Sequence, residues 1–584
     1  MDRFRIGISS KSKRLDSVAR IVLCSLAIPL CLSAMSSSAE AQSPSEAATL
    51  IEKVSDRIKE RISLVDHQKG FTCQGEPICG IQLIPDFYLE RQFVPVWLDS
   101  SGLRPTGHAL IHVIAQVGQD GLQPADYHLG AIHSMLKEME TQAALPLDQQ
   151  ADQWAQMDLL LTDAFLLLSS HLSGGRVNPE TLHTDWRLSA HNVDIMAGLH
   201  NAVTETQINQ AIDQLRPAHD GYSGLRLALR QLHGVEEQGG WPSIPDGPTL
   251  RPEERNDRVV ALRQRLQMEG EQVAAELSEE PERFDPDLVE SLKQFQARHG
   301  LEPDGAVGQR TLEELNVSTQ DRIRQIELNL ERWRWLPDDP GERYIRVNIA
   351  DYSLTVVEHK EVVLSMRVVV GRPMRRTPVF SASMTYMVIS PYWTVPPTIA
   401  VEDMLPKVIK DNSYFDHEAI KVYYGWEEGN AAVDPRQIDW LAYSKRNFPF
   451  RLVQEPGPSN ALGQLKFMFP NNFSVYLHDT PHRSLFGKVQ RDFSSGCIRV
   501  ENALALAEYL LKENPNWTPE KLRAGIKKNQ QQIVRVDPPL PVHLLYMTAW
   551  VDEKGVLQFR KDIYKRDIQL DQALKERHPA YPFE

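Results

Sequence analysis

Apolar residues recur along this chain with two different periods, and the period changes near residue 343. Residues 42 to about 250 carry helical spacing. It is plainest at 151–172, where Trp154, Met157, Leu160, Leu161, Ala164, Phe165 and Leu168 share one broad helical face. Gly174 and Gly175 stop that helix, and another is expected from about Gly107 to Val117. Residues 236–255, EEQGGWPSIPDGPTLRPEER, combine Gly, Pro and charge and read as a linker or exposed connection. A compact helical unit follows at 256–316. RVVALRQRLQ reads as its first helix and PDLVESLKQFQARHG as its second, closed by Gly300. LEPDGAVGQRTLEELN turns into a short third helix, and Val289, Leu292 and Phe295 fall at core spacing. A charged helix at 320–336 ends at Pro337.

From 343 the period shortens to two. RYIRVNIADYSLTVVEHKEVVLSMRVVVG alternates and is β-branched, which predicts strand, hairpin and strand. YMVISPYWTVPPTIA, LKFMFPNN and FSVYLHD continue a mixed β domain expected over 342–536. The stretch 402–457 within it is too long for a plain hairpin loop. Its aromatics Tyr414, Phe415, Tyr423, Tyr424, Trp426 and Trp440 are expected to pack a small core of their own. Residues 502–512, NALALAEYLLK, read as a helix, and 537–584 as an extension made of an extended segment, a hairpin and a polar helical tail. The fold class expected is therefore multidomain α+β. It has a helical scaffold at 42–250, a three-helix module at 256–316 and a mixed β domain with an insertion.

At 584 residues the chain exceeds a single core, consistent with two to four domains. The net charge of −14 and the lack of a basic tail argue against a nucleic-acid partner. Residues 1–41 hold a basic region, the apolar run IVLCSLAIPLCLSAM and small residues ending Ala39-Glu40-Ala41, the composition of a cleavable secretory signal. An uncleaved inner-membrane anchor is the alternative, although the run is short for a span of ~20 residues. Export to the periplasm is expected. Cys24 and Cys31 leave with a cleaved signal, so the mature chain keeps Cys73, Cys79 and Cys497. Cys73 and Cys79 flank a Gly/Pro turn and are expected to form a small disulfide, with two unpaired loop thiols as the alternative. His171, His183 and His191 are scattered, and no Cys/His spacing suggests a metal.

The chemistry concentrates in 476–500, YLHDTPHRSLFGKVQRDFSSGCIRV. A thiol attacks carbonyls as thiolate, and a nearby imidazole can take its proton, so Cys497 and His478 are a candidate nucleophile and general acid/base. Gly496 permits a tight turn that exposes the sulfur. The helix expected from 502 would favour a thiolate through its dipole and offer N–H groups to an oxyanion. The N–H groups of Cys497 and Gly496 are the expected oxyanion donors. Tyr476 falls on the same strand face as His478. Arg499 is expected either to bind a substrate carboxylate or to pair structurally, and Ser494 and Ser495 to orient His478.

Tyr476-Leu477-His478 followed by Ser494-Ser495-Gly496-Cys497-Ile498-Arg499-Val500 resembles the signature of YkuD-type L,D-transpeptidases, cysteine enzymes that cross-link bacterial peptidoglycan. The family usually has His directly before Gly-Cys, where this chain has Ser495, and often Gly after the catalytic His, where it has Asp479. The serine form resembles the large periplasmic YcbB-type branch. FYLERQFVPVWLDSSGLRP, GQDGLQPADYHL and GRVNPETLHTDW resemble that branch's N-terminal scaffold, and 402–457 its capping subdomain. Leu301, Asp304-Gly305, Gly308 and Thr311-Leu312 resemble the peptidoglycan-binding type 1 domain, while Pro391, Trp393, Pro396 and Pro397 resemble the substrate-groove strand. The resemblance implies a tetrapeptide donor cut before its terminal D-alanine, a thioester on Cys497, a second stem amine as acceptor and a 3→3 cross-link. It also implies acylation by carbapenems, peptidoglycan stems and glycan as partners, other wall synthases beside it, and no cofactor. L,D-carboxypeptidase activity, or a wall-binding scaffold without catalysis, is the competing expectation.

Overall fold

The hydrophobic faces of this chain bury into four separate cores. The computed structural model describes residues 44–64, 72–141, 145–187, 193–204, 207–270, 280–337, 339–427 and 429–576. The candidate signal segment and His191 lie outside them.

The first core belongs to the helical region and surrounds α1 (Leu147–Gly174). Every residue from Met157 to Gly174 is buried, so this helix is enclosed on all sides rather than on one broad face. Its polar residues survive burial because they are hydrogen-bonded. Asp158 accepts from the backbone N–H groups of Val96 and Trp97 and from the Tyr88 hydroxyl, and Asp163 accepts from Cys79 N, Gly80 N and the His128 ring. These two carboxylates hold neighbouring loops that have no ladder of their own. The expected Cys73–Cys79 disulfide is not formed, because Cys73 is a free thiol in the core. Cys73 faces Glu76 across a two-residue hairpin, while the Cys79 backbone is committed to Asp163. Burial pushes the Cys73 thiol up to about 12.

The three-helix module has its own core, in which Leu262, Leu266, Leu288, Leu292, Phe295 and Leu312 meet. Its helices are Arg258–Met268, Pro286–Arg298 and Gln309–Leu315.

The largest core joins α2 (Asp220–Glu237) and α3 (Thr319–Arg334) to the main sheet. The strands of this sheet are β1 (Trp186–Arg187), β2 (Arg343–Asn348), β3 (Ser353–Glu358), β4 (Glu361–Gly371), β5 (Val379–Ile389), β6 (Leu465–Met468), β7 (Leu477–His478), β8 (Asp492–Ser494), β9 (Ile498–Val500) and β10 (Gln532–Leu545). Their order is β6-β7-β9-β4-β3-β2-β10-β5-β1, with β8 beside β4, and β6 pairs again with β5 so that the ring of strands closes. Alternation fills the inside with Ile345, Val347, Leu354, Val356, Val368, Val370, Met387, Leu465, Phe467, Leu477, Ile498 and Val500. Two connections cross the expected boundaries. β1 comes from the helical region and pairs with β5, Trp186 opposite Val379. β10 spans position 537 with a bulge between Arg535 and Leu540; it is antiparallel to β5 on both sides of the bulge and parallel to β2 from Val542, so the expected extension begins inside a strand. α5 (Arg566–Glu576) follows, with Arg566 paired to Asp185 and Asp567 to Arg332 of α3.

Residues 393–454 form a four-stranded sheet of Trp393–Thr394, Phe450–Gln454, Ile420–Tyr424 and Ala432–Val433, in that spatial order. Phe415, Trp440, Phe450, Leu452 and Val395 fill its core. Of the aromatics expected there, Tyr424 and Trp426 instead stand 60% and 52% exposed.

Candidate active site

β6, β7 and β9 carry alternating residues, and the register decides which of them meet. Lys466 lies opposite His478, and His478 opposite Arg499. With the interior taken by Leu465, Phe467, Leu477 and Ile498, the outer face receives Lys466, Tyr476, His478, Cys497 and Arg499. Cys497 and His478 are diagonal neighbours in this lattice, on the order of 7–8 Å apart along the backbone and within reach of long side chains. Tyr476 bridges them. Its ring meets the His478 ring edge-on at 5.6 Å, and its hydroxyl acts on the Cys497 thiol in favour of thiolate. The Lys466 ammonium sits 4.0 Å from the centre of the Tyr476 ring.

The turn before Cys497 is tied down atom by atom. Gly496 has φ +115°, a conformation that side chains resist. Ser494 Oγ donates to the Cys497 carbonyl at 2.5 Å and accepts from Gly496 N at 3.1 Å. Thr377 Oγ1 donates to the Gly496 carbonyl at 2.8 Å. Arg375 donates to Ser495 Oγ at 2.9 Å and pairs with Asp403 and Glu402 at the base of the 393–454 unit. The sulfur lies 3.9 Å from the Ser474 carbonyl.

Protonation follows from these contacts. His478 Nδ1 lies 2.5 Å from the Asp479 carbonyl, which only accepts, so Nδ1 carries the proton and Nε2 keeps its lone pair. Burial first, and then repulsion from Arg499 and Lys466, holds the imidazolium down to about 3 despite that bond. Burial raises the Cys497 thiol, while hydrogen bonds from Tyr476 and the charges of Lys466 and Arg499 pull the other way. A neutral thiol beside a neutral imidazole is therefore the resting state at pH 7. Burial lowers both Lys466 and Arg499, and the only group acting to raise either is Cys497. Arg499 Nε is buried without a hydrogen-bond acceptor. Of the two roles expected for Arg499, structural pairing has no partner among the described residues.

Several expected roles change. β9 separates Cys497 from α4 (Ala503–Leu510), so no helix N-terminus follows the sulfur directly, and the local cations and the Tyr476 hydroxyl take its place. Gly496 N is already bonded to Ser494, which leaves Cys497 N–H as the free donor of the pair. Ser494 and Ser495 bond the turn and Arg375 rather than His478, which the Asp479 carbonyl orients. Trp393 meets Tyr476 and also packs on the core of the 393–454 unit. Sequence reasoning missed Lys466, although a lysine inside the apolar run LKFMF was a visible signal. Arg375, Thr377 and Asp479 had no such signal.

The chain is multidomain α+β, and its segments match a YkuD-type L,D-transpeptidase catalytic domain and a peptidoglycan-binding type 1 domain. Residues 342–522 match the model of the L,D-transpeptidase catalytic domain, residues 255–315 that of the "Putative peptidoglycan binding domain", and residues 82–229 that of the scaffold domain. A "Putative L,D-transpeptidase" of Haemophilus influenzae is 36% identical over 258 residues, 44% of this chain and 51% of the relative. The match thus spans about half the length of that curated relative. Among solved structures, an L,D-transpeptidase from Mycobacterium smegmatis aligns at 13% identity and TM-score 0.16, covering 35% of this chain and 58% of its own. The L,D-transpeptidase of Xylanimonas cellulosilytica aligns at 14% identity and TM-score 0.16, covering 51% and 99%.

Proposed function

We propose that the protein is a peptidoglycan L,D-transpeptidase that forms 3→3 cross-links through a thioester on Cys497. The observation that carries this is the sheet face that brings His478 and Cys497 together with two cations, Lys466 and Arg499, that lack carboxylate partners among the described residues. The Nε2 lone pair takes the thiol proton as the sulfur attacks the carbonyl between the third residue of the stem and its terminal D-alanine. The D-alanine amine leaves with that proton. The side-chain amine of a second stem then attacks the thioester, gives its proton to the imidazole, and the sulfur departs to be reprotonated. Cys497 N–H is the donor proposed for the oxyanion. Lys466 and Arg499 suit the anionic carboxylates of a stem peptide and also stabilise thiolate. The peptidoglycan-binding module supports the wall as partner, and the basic-apolar N-terminal segment supports work in the periplasm.

The test is mass spectrometry of the protein with a disaccharide-tetrapeptide. The expected result is a tripeptide acyl adduct on Cys497 and a dimer lacking one D-alanine, both lost in Cys497→Ala. In His478→Ala the adduct should form on the order of 10²-fold more slowly. Tripeptide without dimer would assign hydrolysis instead, and an adduct that survives Cys497→Ala would overturn the reading.

A further inference from the structure

We propose that Tyr564, beyond the residues matched to the catalytic domain, is a positioning residue that aims the Cys497 N–H by acting through Thr377. The inference rests on the proposed function in taking Cys497 as the nucleophile and its N–H as the oxyanion donor. Tyr564 Oη donates to the Gly371 carbonyl at 2.5 Å and accepts from Thr377 N at 3.1 Å. Thr377 Oγ1 in turn accepts from Gly371 N at 2.9 Å and donates to the Gly496 carbonyl at 2.8 Å. Both side chains are essentially fully buried, at 1% and 0% exposure. These bonds close the base of the 371–377 loop, which folds back so tightly that a Cβ on Gly371 would lie 2.2 Å from the Arg375 carbonyl. Tyr564 is itself fixed. Its backbone N–H donates to Tyr546 Oη at 2.9 Å, and the two rings stack at 5.5 Å.

The Gly496 carbonyl and the Cys497 N–H belong to one planar peptide group and point in opposite directions. A hydroxyl that holds the carbonyl therefore sets the direction of the N–H. The Gly496 N–H is bonded to Ser494, so the Cys497 N–H is the backbone donor left beside the sulfur. The C-terminal segment thus reaches the reacting centre through two hydroxyls in series, without touching substrate.

An acyl transfer needs that donor, whereas an alkylation at sulfur does not, and this separates aim from nucleophile reactivity. The full chain would be acylated with p-nitrophenyl acetate, which acetylates the sulfur and releases p-nitrophenolate, and alkylated in parallel with iodoacetamide. Both probes are read at Cys497 by peptide mass spectrometry, and neither depends on the tetrapeptide being the natural donor. Tyr564→Phe and Thr377→Val are each expected to slow acylation by about 10- to 10²-fold, up to the loss of one oxyanion donor. Alkylation should stay within about threefold, and Thr377→Ser, which keeps the hydroxyl, should restore acylation. Because the two act in series, the double variant should lose no more than Thr377→Val alone. The proposal is overturned if acylation is unchanged in Thr377→Val, if acylation and alkylation fall together, or if the two losses multiply. Should Tyr564→Phe fail to fold, the Val/Ser pair at 377 decides the Thr377 step, and Tyr546→Phe, which frees the Tyr564 backbone, must then reproduce the acylation-only loss or the Tyr564 step falls. A tetrapeptide that never acylates a chain obeying this pattern would refute the proposed substrate and leave the positioning intact.

Discussion

Replacing Tyr476 by Phe isolates one hydrogen bond at the nucleophile. The ring remains, so the Lys466 ammonium keeps its seat 4.0 Å from the ring centre and the edge contact with His478 at 5.6 Å persists. What disappears is the hydroxyl whose influence favours the Cys497 thiolate. A hydrogen bond to an ionised acceptor contributes about 1.5–3 kcal/mol, and losing an interaction of that kind moves the thiol up. At fixed neutral pH the thiolate fraction then falls about 10- to 100-fold. The thiolate that remains is more nucleophilic, with a Brønsted slope of about 0.4–0.5, so roughly half the loss on a logarithmic scale is recovered. The expected net effect is alkylation of Cys497 by iodoacetamide slowed about 3- to 10-fold, with its rate profile displaced toward alkaline pH. Peptide mass spectrometry assigns the adduct, and a thermal melt confirms that the variant is folded. A folded Tyr476→Phe that alkylates as fast as the parent, with the same pH profile, would refute the assignment of Tyr476 as a thiolate stabiliser.

Three further outcomes follow from the contacts described. Arg375→Gln removes the link between Ser495 and the acidic pair Asp403 and Glu402; as these groups are partly buried, stability should fall by about 1–2 kcal/mol. If the 393–454 unit excludes water from the thioester, muropeptide analysis of this variant should show more tripeptide relative to dimer, and an unchanged ratio would separate that unit from acceptor choice. Without reductant, the Cys73 thiol should resist labelling in the native protein and become labelled on unfolding; no labelling after unfolding would mean that it is bridged. Acid should destabilise the fold before the carboxylates titrate. Burial holds His478 and His183 down to about 3 and His299 to about 4, so the unfolded chain binds the extra protons as pH falls below about 6.5. Stability present above that pH should be lost toward pH 4.5 by up to about 4 kcal/mol per pH unit for the three together. A melting temperature that stays flat over this window would contradict the burial of neutral imidazoles.

The alternation in RYIRVN and SLTVVE and the helical spacing of 151–172 were legible because each segment's period matches its own element. The diagonal of Cys497 and His478 was legible through local composition and family resemblance. The contacts that complete the site were not. Lys466 reaches His478 only through the pairing of β6 with β7, and Thr377 reaches Gly496 across 119 positions of sequence. The expected helix dipole failed for a related reason. The chain spends Ile498–Val500 on a strand whose partner, β4, lies far upstream. The expected disulfide failed although both cysteines pack against the same core, and a six-residue spacing by itself does not decide pairing.

The position of β10 sets a time order on the birth of the molecule. Val542–Leu545 of β10 is synthesised long after β2 and β5, yet it lies between them in the ring. A chain still emerging N-terminus first therefore carries β2 and β5 with facing edges unsatisfied until β10 has emerged, and the ring cannot close around its core before then. Closure of the catalytic sheet thus waits for β10, whatever part of the chain has folded before it.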